Sequence, residues 1–199
     1  MRKMAFLQAR RRQQRGLILL VTLLAMVILL ISAVALIRSF DTSLLLSGNL
    51  AFKRDLVNEG ERGMAAAIAL FNSGALATDS SRAADVPASN YSASILAVNA
   101  RGIPLVLVND STFASKGMSA TDITDSSTGV KIRTVIDRQC AAAGSFDATT
   151  CVYVPGSSDA GGTNWLKKAG AEYVPVYRIS VRVSGPRNTQ VFLQTTLSR

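Results

Sequence analysis

Few residues of this 199-residue chain are of types that could do chemistry, and histidine is absent. Without an imidazole, Ser-His and Cys-His nucleophilic pairs are excluded. The remaining pairing, Ser157 or Ser158 with Lys167 or Lys168, rests on composition alone. Asp122 with Asp125, and Asp159 beside Gly161 and Gly162, carry oxygen ligands suited to calcium. Neither group has the spacing of an EF-hand loop, so both read as surface loop. No phosphate-binding glycine loop or dinucleotide fingerprint occurs. The chain therefore reads as no enzyme, with no metal site and no cofactor. Cys140 and Cys151 are the only cysteines and lack C-x-x-C spacing, so they read as a structural pair and not a redox site. Closing their loop of about a dozen residues would stabilise a small fold by roughly 3 kcal/mol.

The element that must carry these residues is at the other end of the chain. Arg2, Lys3, Arg10, Arg11, Arg12 and Arg15 precede an apolar run from Leu17 to Ile37 that has no charge and only two hydroxyls, Thr22 and Ser32. At ~1.5 Å per helical residue this run reaches about 30 Å, the thickness of a bilayer's hydrocarbon core. A buried helix of a soluble protein rarely goes so far without a polar face. The charge asymmetry places the N-terminus in the cytoplasm and everything after the run outside, which is also where a disulfide persists. Removing the six positive charges of residues 1–16 from the net +9 leaves +3, so the basicity belongs to the leader and implies no nucleic-acid partner.

Two processing signals overlap here. Ala33-Val34-Ala35 would suit a secretory signal, but the apolar centre is too long for one. The other is Gly16, a lone small residue between Arg15 and Leu17 at the point where charge gives way to hydrocarbon.

Gln14-Arg15-Gly16-Leu17 followed by an aliphatic helix resembles the type III leader of type IV pilins and pseudopilins. More narrowly, Gln13-Gln14-Arg15-Gly16-Leu17, with Gly48-Asn49 leading into a helix that bears Glu59 and Glu61, is similar to PilX-like minor pilins. The resemblance covers about the first third of the chain. It implies cleavage by prepilin peptidase between Gly16 and Leu17 and N-methylation of the new Leu17 amine. It also implies an inner-membrane start with the N-terminus in the cytoplasm, followed by incorporation into a pilus on the periplasmic and extracellular side. The implied partners are other minor pilins, the major pilin and the inner-membrane assembly machinery; the implied role is priming assembly, or low-copy placement at the tip. Two positions depart from the major pilins: Val21 stands where their fifth mature residue is Glu, and Arg38 where a kinking proline is common. The competing reading is a periplasmic binding domain or enzyme, secreted or tethered by a single span, and unrelated to pili.

Beyond the span, Leu50, Val57, Met64, Ile68 and Phe71 recur at helical spacing and predict an amphipathic continuation with one apolar stripe. Gly48, Gly60 and Gly63 each weaken a helix by about 1 kcal/mol relative to Ala, and close packing is the preferred reason for them. Asn72 to Ser89 reads as loop, with Gly74 as helix stop, and Leu105 to Val108 as a short strand. Val130 to Asp137 alternates as a half-buried strand, and Cys151 to Val154 reads as another. Tyr177 to Ser184 and Gln190 to Leu197 form a hairpin around Gly185-Pro186-Arg187-Asn188. Pro155 to Thr163 reads as an exposed loop and Trp165 as a core anchor. The expected fold is α+β and pilin-like, a long N-terminal helix whose second half packs on a small antiparallel sheet. Its segments are a leader at 1–16, a membrane helix at 17–38, an amphipathic continuation at 39–74 and a globular domain at 75–199.

Overall fold

A computed structural model describes residues 15–155 and 173–199. One helix, α1, runs Arg15–Ser73 and stops where expected: a Cβ on Gly74 would lie 2.7 Å from Leu70 Cα. The chain divides into two units between Ala51 and Phe52, inside the segment read as the amphipathic continuation.

The second unit is α+β. It holds the end of α1, then β1 (Tyr91–Ser92), α2 (Leu105–Val108), α3 (Asp110–Ser115), β2 (Ile123–Asp125), β3 (Val130–Arg138), β4 (Tyr153–Pro155), β5 (Tyr173–Ser184) and β6 (Gln190–Ser198). The hairpin is present: β5 and β6 pair antiparallel from Val176↔Ser198 to Ser184↔Gln190, and their turn is closed by Gly185 N donating to Thr189 O. The sheet is mixed and not wholly antiparallel. β1 runs parallel to β3, joined by Ile136 N donating to Asn90 O, while β2, β5 and their neighbours are antiparallel. β4 takes up β5 where β3 leaves it, since Val176 O accepts from Gln139 N and Val176 N donates to Val152 O.

The period-two pattern of β3 points Val130, Ile132 and Ile136 at α1, where they join Ile179, Val181 and Val183 of β5. The facing stripe of α1 differs from the expected one. Leu56, Gly60, Gly63, Ala67 and Phe71 are buried, whereas Val57 and Ile68 are partly exposed. The stripe is out of phase because the helix approaches closely enough that small residues fill the contact. A Cβ on Gly63 would stand 2.7 Å from Ile132 Cγ2 and 3.0 Å from Val181 Cγ1. Gly60 and Gly63 permit this packing, and their low helix propensity is offset by the contact they allow; the packing reading does not hold at Gly48, which is exposed with nothing within 4 Å of an added Cβ among the described residues.

Two further readings are corrected. Leu105 to Val108 is a helical turn: Leu107 N and Val108 N donate to Pro104 O, so their backbone is satisfied locally with no neighbouring strand. β3 is covered on both faces instead of half-buried. On the face away from α1, Val135 packs with Leu96, Val106, Leu107, Phe113 and Met118.

Candidate functional site

In the first unit every large apolar side chain from Leu17 to Ile37 is between 44% and 70% exposed. The helix is long and apolar enough to cross a membrane. Its two hydroxyls are compatible with hydrocarbon because they bond their own helix: Thr22 Oγ1 donates to Leu19 O and Ser32 Oγ to Ile28 O. Apolar exposure continues after Arg38 through Phe40, Leu44, Leu45, Leu46 and Leu50. The Gly16–Leu17 bond lies in the first helical turn, where backbone N–H groups lack intrahelical acceptors. Residues 1–14, which carry most of the leader, lie outside the described residues.

Cys140 and Cys151 are bridged, with sulfurs 2.07 Å apart. Both are buried, and the bridge ties the exit of β3 to the approach of β4. The paired aspartates read as surface loop have structural partners. Asp122 accepts from Arg133 Nε and Nη2, and Asp125 Oδ1 accepts from Ser127 N and Oγ in a local turn. Ser157, Ser158, Asp159, Gly161, Gly162, Trp165, Lys167 and Lys168 lie outside the described residues. Among the described residues no three carboxylate or cysteine side chains gather as a metal-binding group.

Sequence reasoning missed the charges on the far face of the sheet. Arg133 and Arg182 are direct cross-strand partners, an arrangement that repels. Asp110 resolves it by accepting from Arg133 Nη1 at 2.7 Å and Arg182 Nη2 at 2.6 Å. The Arg182 hydrogen bond, outweighing burial, holds the Asp110 carboxyl below the usual range. Asp137 is fully buried and accepts from its cross-strand partner Arg178 at 2.9 and 2.6 Å, from Leu96 N and from Gln139 Nε2. Such charges read in sequence as the solvated half of an alternating strand. Their partners come from segments crossing that face: Leu107 O of α2 accepts from Arg182 Nη1, Asp110 of α3 meets both Arg133 and Arg182, and Leu96 N meets Asp137.

A third cluster joins the sheet to the segment after α1. Arg82 is buried, donates to Leu76 O and Asp79, and sets its Cζ 5.7 Å from the Tyr177 ring. Tyr91 donates its hydroxyl to Arg82 O, and burial pushes the Tyr91 and Tyr177 phenols up. Phe71 meets Tyr177 edge-on at 4.9 Å, which ties this cluster to the helix core.

Comparison with protein-family models, curated proteins and solved structures finds no match for this chain.

Proposed function

We propose that the chain is a minor pilin of the PilX-like kind, which primes assembly of a type IV pilus or enters it at low copy at the tip. The observation that carries the reading is the junction Gln13-Gln14-Arg15-Gly16-Leu17, set directly before an exposed, uncharged helical run. The α+β second unit, in which the end of that helix packs on a sheet, is compatible with it. In this reading the helix enters the inner membrane with its basic end in the cytoplasm. Prepilin peptidase then cuts after Gly16, the Leu17 amine is methylated, and the helix leaves the membrane by joining other pilin helices.

Val21 argues for the tip. In the family that this chain resembles, a glutamate of each incoming subunit offsets the N-terminal amine of one already in place. An ionised group in hydrocarbon costs at least ~2.5 kcal/mol, so the pair matters. Val21 supplies no such partner. The first subunit laid down has no earlier amine to meet, and its own amine can be met by the next subunit.

N-terminal sequencing of the membrane-extracted protein tests the reading. A start at Leu17, with Gly16→Val left uncut, is the expected result. A start at Leu36 or an intact Met1 overturns it, the first indicating secretion and the second a permanent anchor. For placement, an antibody to the second unit should label pilus ends, and dense labelling along the shaft would exclude a tip subunit.

A further inference from the structure

Arg138 differs from the other inward-facing arginines of β3 and β5, of which Arg182 is buried and Arg133 and Arg178 are partly buried. It is 2% exposed, and its Nε and Nη2 donate only to carbonyls, Ala93 O at 3.1 Å and Gly144 O at 2.7 Å. Arg133, Arg178 and Arg182 each meet a carboxylate. Among the described residues Arg138 meets none, and its Nη1 has no acceptor there. An arginine held only by neutral dipoles keeps most of its desolvation penalty, which an anion would relieve.

This guanidinium lines a pocket of about 280 Å³ with Asp79, Phe146, Tyr173, Pro175 and Tyr177. Asp79 accepts from Arg82, yet its side chain is 91% exposed, leaving it lone pairs for a second donor. Phe146 and Tyr173 belong to a chain of edge-on rings, with Tyr153 4.4 Å from Tyr173 and 6.4 Å from Phe146. Tyr173 is 44% exposed. The volume falls just below the 300–1,000 Å³ or so of drug-sized ligand pockets, which suits one small ring.

We propose that this pocket binds a single sugar carrying a carboxylate, of the uronic acid class. Its carboxylate is held by Arg138 Nη1, a ring hydroxyl donates to Asp79, and the C–H face of the ring lies on Tyr173. Asp79 disfavours a polyanionic peptide, because a second negative group would have to sit beside it. It favours a ligand that presents one anion next to hydroxyl donors. The bridge between Cys140 and Cys151 closes the loop that carries Phe146 and Gly144, and so fixes one wall and one of the carbonyls that hold Arg138. The inference does not depend on the pilus reading.

Saturation-transfer NMR on the full chain in detergent micelles tests it, with glucuronate, glucose, acetate and N-acetylglutamate amide as probes. Glucuronate should give a saturable signal. Glucose, lacking the charged hydrogen bond, should bind at least about tenfold more weakly, and acetate should compete with glucuronate. Arg138→Gln should abolish the signal. Because Arg138 is buried, Asp79→Asn and Tyr173→Ala serve as surface variants: both should weaken glucuronate several-fold, and Asp79→Asn should not weaken acetate. No glucuronate signal, equal binding of glucose, failure of acetate to compete, or tighter binding of the glutamate amide would each overturn the proposal. So would surface variants that bind glucuronate as the wild type does.

Discussion

Leu24 and Phe71 belong to the same helix, and their surroundings are opposite. Leu24 is among the exposed apolar side chains of the first unit, and Phe71 is completely buried in the second. Both side chains are large and apolar; what differs is the surroundings each meets. In the second unit the sheet supplies the apolar partner, and burial at roughly 25 cal/mol per Å² drives folding. From Leu17 to Ile37 the large apolar side chains are exposed among the described residues, on a helix long and apolar enough to cross a membrane. A hydrophobic side chain therefore contributes to stability only where its unit provides the contact, and the same substitution should have unequal effects in the two.

The largest contrast is Phe71→Ala against Leu24→Ala. The first should cost about 3–5 kcal/mol in urea unfolding of the full chain in micelles, followed by near-ultraviolet circular dichroism. Leu24→Ala should leave that transition within about 0.5 kcal/mol, as for any site outside the packed core. Equal effects would mean that the first unit packs on protein.

Glycines sharpen the comparison with the opposite sign. Gly63→Ala pushes a methyl group against Ile132 Cγ2, Thr134 Oγ1 and Val181 Cγ1, all on stiff β-branched side chains. Overpacking should cost roughly 1–3 kcal/mol despite the better helix former. Gly48→Ala has nothing within 4 Å of the new Cβ, so it should slow amide exchange around residue 48 by an amount worth about 1 kcal/mol. Stabilisation by both substitutions would show that the helix does not press on the sheet.

The smallest expected effect is electrostatic and confined to the second unit. Asp110 has its folded-state pKa lowered, so its contribution is present above its unfolded value of about 4 and is lost as pH falls through the folded value. Asp110→Asn should destabilise the unit at neutral pH by about 1 kcal/mol or less, because the carboxylate is largely exposed. The gap should close in acid. A gap that persists at pH 2 would assign the loss to packing.

Fold legibility followed the same division. The apolar helical run from Leu17 to Ile37 is set by composition, and the hairpin of β5 and β6 and the strand β3 by local periodicity, so they could be read from residue types alone. The disulfide partners were also legible, because two cysteines allow one pairing. The helix stripe departs from the pattern of apolar bulk because close approach selects Gly60, Gly63 and Ala67 at core positions, leaving Val57 and Ile68 outside. Leu105 to Val108 was misread because a short apolar run carries no period long enough to separate strand from helix. The candidate sugar site was not legible at all. Asp79, Arg138 and Tyr173 are far apart in sequence, and it is the pairing of β3 with β5, the bridged loop and the segment after α1 that bring them together with Phe146.

The sequence by itself determined where the chain can meet a membrane, since an uncharged helical run is a local property that needs no partner. It determined the hairpin through local periodicity and its turn, and the disulfide because two cysteines allow one pairing. The tertiary structure decided which face of α1 is core, why glycine sits there, and which arginines are neutralised, because burial and charge pairing belong to contacts between distant segments. Arg138 and Arg178 read alike as strand charges; only the folded sheet gives Asp137 to Arg178 and leaves Arg138 facing a pocket.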